Sequence, residues 1–172
     1  MLKVALCGDS NCRGLIGMSK RELSSYNIRN FGVSGFTSSD LFHSIILTEI
    51  SEWNPDVVVI ILSGNDIKPR MDINCVLNNF CGIADYFNSK NITVRFSQLF
   101  FRNKPRNLSI EQYNKICNLI NRKMKKILPK MTFYSGICQS KAEFLLKCDG
   151  VHLSFYGKQL FLRKIKTQLE CL

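Results

Sequence analysis

Residues 56–62, Asp-Val-Val-Val-Ile-Ile-Leu, contain six consecutive apolar side chains, five of them β-branched. Such side chains pack best on extended backbone, and a strand with no polar alternation is buried on both faces. A doubly covered strand belongs in the middle of a parallel sheet with helices above and below it. This one segment therefore directs the chain toward an α/β architecture.

Apolar runs at 2–7, 92–97 and 131–135, and a weaker one at 26–33, predict four more strands. Helical patterns lie between and after them, at 39–53, 73–89, 110–128 and 155–169. In the first of these Leu41, Ile45, Ile46 and Ile50 are expected on one face. Thr37 stands three residues before Asp40, and Ser109 three before Gln112, so each oxygen is placed to accept from the N–H groups of a first helical turn. Strands alternating with helices predict a three-layer α/β/α sandwich around a five-stranded parallel sheet, flavodoxin-like, as a single domain over residues 1–172.

The least regular stretches, 68–72, 101–108 and 136–150, follow strands, which is where open parallel sheets bind ligands. Chemistry-bearing residues cluster in the same kind of position. The first strand runs into Gly8-Asp9-Ser10, placing a hydroxyl at a strand-to-helix turn beside a helix N-terminus. The second is followed by Gly32-Val33-Ser34-Gly35, whose last glycine offers an unobstructed N–H to an oxyanion, and the third by Ser63-Gly64-Asn65-Asp66, whose amide is a second donor. Near the C-terminus the spacing of Asp149-Gly150-Val151-His152 lets a carboxylate orient an imidazole. Each piece alone is also ordinary turn or capping chemistry: Ser10 as a helix cap, Asn65 as a turn residue, Asp149 as the cap of the last helix. Taken together and in order, they are the set that acyl transfer requires. The other histidine, His43, falls inside the amphipathic pattern at 39–53 and is assigned no role.

These blocks resemble those of the SGNH (GDSL-type) hydrolases: GDS at 8–10, the glycine of GVSG, the asparagine of GND, and DGVH at 149–152. The approach WNPDVVVIILSGND at 53–66 is similar too, so the resemblance covers nearly the whole chain. It implies Ser10 as nucleophile and backbone oxyanion donor, Gly35 and Asn65 as the other donors, and Asp149 with His152 as orienter and base. It also implies the five-stranded sandwich, a serine esterase activity, and no cofactor. One departure is Asn11, where GDSL-type enzymes often carry leucine. A weaker resemblance links Arg13-Gly14-Leu15 and residues 149–165 to esterase-like modules of animal genomes, some within non-LTR retrotransposon proteins.

The expected mechanism is attack of Ser10 on an ester carbonyl with His152 as base, so activity rises with pH as the imidazole loses its proton. The expected substrate is a small-molecule ester with a short acyl or acetyl group, or a lipid ester. Phe101 and Arg102, in the loop FFRNKPRN at 100–107, are candidate substrate contacts favouring an anionic or lipid-like ester, although the loop also reads as a solvated basic turn. The alternative is a weak or inactive module that binds nucleic acid or an anionic surface through its basic second half. Residues 1–66 carry five Lys or Arg against seven acids and residues 67–172 nineteen against six, and the helix at 110–128 presents Lys115, Arg122, Lys123, Lys125 and Lys126.

The eight cysteines include no CxxC, and with two histidines the chain offers no clustered ligands, so no metal site is expected. The apolar stretch before Gly8 is about five residues, too short for a membrane span or signal core. A transmembrane segment is therefore not expected, and an intracellular, cytoplasmic location is.

Overall fold

The computed structural model describes residues 1–172 and contains one five-stranded sheet. Its strands are β1 (Lys3–Gly8), β2 (Asn27–Gly32), β3 (Val57–Ile61), β4 (Thr93–Ser97) and β5 (Thr132–Phe133), ordered β2-β1-β3-β4-β5 and all parallel. The expected α/β/α sandwich is thus present, with its central strand where the valine run predicts it. Alternate residues of β3 go to opposite faces: Val58 and Ile60 join a core with Ala5, Cys7, Val94 and Phe96, while Val57, Val59 and Ile61 join a second core with Val4, Leu6 and Phe133. Burial on both faces is why the strand tolerates no polar residue.

The first core is roofed by α3 (Ser38–Phe42), α4 (Ile46–Trp53), α5 (Ile73–Asn88) and α6 (Ile110–Ile127). The second is roofed by α1 (Ser10–Arg13), α2 (Ile16–Glu22), α7 (Ala142–Leu145) and α8 (Phe155–Glu170), with a 3-10 turn at Gln139–Lys141. Both expected capping boxes form, Thr37 with Asp40 and Ser109 with Gln112.

The helix expected over 39–53 is two helices. The Ser44 hydroxyl and its N–H both take the Leu41 carbonyl, at 2.8 and 3.2 Å, where a continuous helix would receive the N–H of Ile45. The break turns the apolar stripe, so Leu41 and Ile50 are buried but Ile45 is exposed. His43 caps the end of α3 with its ring 5.0 Å from that of Phe42, rather than sitting inside a helix.

The registers level the carboxyl ends of three strands, because Gly8 pairs with both Gly32 and Ile61. The order changes direction at β1 and β3, which is the position where sheets of this kind leave a crevice. At Gly8 the backbone of β3 passes so close that an added Cβ would fall inside the Ile61 carbonyl, and φ is +153°. Only glycine lets β1 reach that edge, and Asp9 and Ser10 leave from it.

Candidate active site

The turn after β1 is pinned by the Asp9 carboxylate. Its Oδ1 accepts from the Asn11 N–H at 2.9 Å, capping α1, and its Oδ2 accepts from the N–H and hydroxyl of Ser63, both at 2.6 Å. The helix cap is therefore Asp9, and Ser10 occupies the first helical position with its hydroxyl free to point outward. Asp9 is fully buried. Desolvation raises its pKa, opposed by the donors from Ser63 and Asn11 and by the charge of Arg102.

Across the crevice, the chain after α7 turns through Asp149 to His152. The Asp149 Oδ1 accepts from the N–H groups of Val151 and His152, both at 2.9 Å, and its Oδ2 lies 2.8 Å from His152 Nδ1. Partial desolvation pushes the carboxyl upward, but the two backbone N–H groups and the imidazole outweigh it and hold the pKa at about 2. Asp149 shapes this loop, while the cap of α8 is Ser154, which accepts from Gly157. His152 Nε2 then lies 3.0 Å from Ser10 Oγ. A carboxylate, an imidazole and a hydroxyl are thus in hydrogen-bonded series from residues 142 positions apart.

Gly35 has φ +85°, and the space where a Cβ would stand is open to 4 Å. Neither its N–H nor that of Ser10 donates within the protein. Asn65 is held from three sides. Its Oδ1 accepts from Arg102 Nη2 at 2.8 Å, and since a guanidinium has only donors, the amide nitrogen must face the other way. That nitrogen lies 3.0 Å from the Phe36 carbonyl and 3.4 Å from Asp9 Oδ2. The loop is tied down by its neighbour Asp66, which accepts from the N–H and hydroxyl of Ser38 at the start of α3 and whose pKa burial raises.

Ser10, Gly35, Asn65, Asp149, His152 and Arg102 all line one cleft of about 540 Å³. Phe101 does not. It is buried in the second core, because the chain leaving β4 turns its two aromatic rings inward and presents Arg102, Lys104 and Arg106 to the cleft. Three further residues matter that spacing alone did not single out. Asp9 and Ser63 lock the ends of β1 and β3 together, and Asn11 spans to the histidine loop. Asn11 Oδ1 accepts from the Leu153 N–H at 2.9 Å, and its Nδ2 donates to Ser63 Oγ at 2.9 Å and to the Val151 carbonyl at 3.3 Å. The departure from leucine at this position is thus a buried polar tie between nucleophile turn and histidine loop. Its only sequence signal was an amide where an apolar residue was expected.

No protein-family model and no curated protein matches the chain. Solved structures do match it. The psychrotrophic esterase EstA of Pseudoalteromonas, in a structure inhibited by monoethylphosphonate, superposes with a TM-score of 0.75 at 14% identity, covering 99% of this chain and 98% of that one. A GDSL-like lipase of Bacteroides thetaiotaomicron gives 0.77 at 18% identity, over 99% and 89%, and a lipase/acylhydrolase of Enterococcus faecalis 0.72 at 19%, over 98% and 97%. The chain has the SGNH-hydrolase fold. At these identities the likeness is one of architecture, and it extends over 98–99% of this chain. No helix is long and apolar enough to cross a membrane.

Proposed function

We propose that this chain is a serine esterase that cleaves carboxylic esters through an acyl-enzyme. The observation that carries the reading is the series Asp149–His152–Ser10, at 2.8 and 3.0 Å, opening on a cleft with uncommitted N–H groups at Ser10 and Gly35. His152 Nε2 takes the Ser10 proton as Oγ bonds to the ester carbon, and the carbonyl oxygen becomes an oxyanion. The N–H groups of Ser10 and Gly35 receive it together with Asn65, whose second amide hydrogen is only weakly engaged by Asp9 at 3.4 Å. Collapse of the tetrahedral adduct passes the proton from His152 to the departing alcohol. Water, deprotonated by His152, then releases the acid and restores Ser10. Asp149, ionised throughout the neutral range, holds Nδ1 protonated and stabilises the imidazolium.

The same fold in a GDSL-like lipase and in a phosphonate-inhibited esterase supports this reading. The eight unpaired cysteines, three of them buried as small apolar groups, suit a reducing intracellular setting. The test is hydrolysis of p-nitrophenyl acetate and butyrate by wild type, Ser10→Ala and His152→Ala, each confirmed folded by circular dichroism. Wild-type turnover that both substitutions reduce by about a thousandfold or more is expected. Equal activity in all three would overturn the proposal, as would failure of a fluorophosphonate to label Ser10.

A second reading is favoured by a separate groove of about 650 Å³, lined by Lys115, Arg122 and Lys125 of α6 and by exposed Tyr134, with no carboxylate among its walls. Cations along a groove with an aromatic face suit a single-stranded nucleic acid. Binding of a labelled oligonucleotide that weakens steeply with salt, and further on replacing the three cations by Gln, is the expected signature. Weak binding indifferent to salt would remove it.

A further inference from the structure

Three cations, Arg102, Lys104 and Arg106, line the cleft. Arg102 is only 7% exposed, yet it forms no ion pair: the only ion pairs are Arg21–Glu22, His152–Asp149 and Lys166–Glu170. Its side chain makes one hydrogen bond, from Nη2 to Asn65 Oδ1, and its guanidinium lies 5.3 Å from the Tyr113 ring. Nε is buried with no partner. The buried carboxylate whose charge it feels, Asp9, is hydrogen-bonded to Ser63 and Asn11 and reaches Arg102 only across the Asn65 amide, with no direct contact. A buried guanidinium with no anion in direct contact is costly to keep, and a ligand that supplies one offsets that cost.

The other two cations share the cleft with it. The Lys104 Nζ donates to the Cys148 carbonyl at 2.8 Å, and the Asn103 N–H to the Gly150 carbonyl at 2.9 Å, so the basic loop is stitched to the histidine loop. Arg106 lines the cleft with no side-chain partner. The one carboxylate in the cleft wall, Asp149, is paired with His152. Val151 is the single hydrophobic residue of the lining, so no apolar wall exists along which a long acyl chain would lie.

We propose that the substrate is a short-chain ester of an acidic alcohol, one bearing a carboxylate or phosphate that Arg102, Lys104 and Arg106 hold while the carbonyl sits at Ser10. This rests on the esterase reading. It excludes esters with a long acyl chain, and it gives the buried Arg102 an anion in direct contact.

The test compares kcat/KM for p-acetoxybenzoate and p-acetoxyphenyl phosphate with that for the uncharged methyl p-acetoxybenzoate, each divided by its rate of alkaline hydrolysis. A preference of about tenfold or more for the anionic esters is expected, with the better of the two naming the acidic group. Arg106→Gln should reduce that preference, as should Arg102→Met if it folds, while the remote Lys166→Gln should not. Ser10-dependent turnover with no preference for the charged esters overturns this inference and leaves the esterase reading standing. If no ester is turned over, the esterase reading fails. Calorimetric titration of Ser10→Ala with p-hydroxybenzoate and phenyl phosphate then decides the anion site: binding lost in the added Arg106→Gln substitution upholds it, and absence of binding overturns it.

Discussion

Replacing Asn11 by alanine removes the side chain that, beside the Ser10–His152 hydrogen bond, joins the nucleophile turn to the histidine loop. Three hydrogen bonds go with it: from the Leu153 N–H, to Ser63 Oγ, and to the Val151 carbonyl. Asn11 is 3% exposed and Leu153 fully buried, so water cannot take over the Leu153 donor without rearrangement. One orphaned buried N–H costs about 1–3 kcal/mol, and the loss of the other two bonds and the small void bring the total to about 2–4 kcal/mol. Urea denaturation measures this directly. The second effect is on geometry, because Val151 and Leu153 flank His152. Freed of that tie, the imidazole samples positions away from Ser10, and kcat should fall more than KM rises, by about tenfold or more. Asn11→Leu, which restores the residue common in GDSL-type motifs, should lose comparable stability because the loop's N–H remains unpaired. An Asn11→Ala protein within about 0.5 kcal/mol of wild type and with kcat unchanged within twofold would refute the reasoning.

Two further substitutions probe the frame of the site. Gly8→Ala should destabilise the protein by about 3 kcal/mol or more, since its Cβ meets the Ile61 carbonyl and φ is unfavourable, and urea denaturation with wild-type-like stability would contradict the close approach of β1 and β3. The Asp149 carboxyl lies at about 2 in the folded protein, below its ordinary 3.8, so the ionised form stabilises the fold above the ordinary value, and that contribution is lost as pH falls toward 2. Asp149→Asn should therefore have a lower urea midpoint than wild type at pH values of about 6, and the two should converge as pH drops from about 4 to about 2. A gap that stays constant through that interval would show that the carboxylate charge is not what holds the loop.

Much of this molecule was legible along the chain. The strands β1 and β3 announce themselves because burial on two faces demands continuous apolar residues, β4 by the alternation of buried Val94 and Phe96 with Thr93 and Arg95, and the capping pairs Thr37/Asp40 and Ser109/Gln112 are local contacts between neighbours. The residues brought into the cleft, Ser10, Gly35, Asn65, Asp149 and His152, are all in turns that follow strands or precede helices, where glycine and short polar residues have local reasons to be. The break at Ser44 was not legible, because a serine hydroxyl competing for the Leu41 carbonyl leaves no mark on hydrophobic periodicity.

The remaining features depend on partners distant in the chain. Asn11 reads only as an amide in place of leucine until the histidine loop, 142 positions later, arrives to accept and donate. Arg102 reads as part of a solvated basic loop, and Phe101 as its companion at the cleft, until β4 ends against α6 and sends the ring into the core and the guanidinium over Tyr113 toward Asn65, 37 positions earlier. Periodicity and turn chemistry act over a few residues and are written in order along the chain. Burial of a polar group, and the charge it then lacks, arise only when separate strand ends are brought to one edge of the sheet.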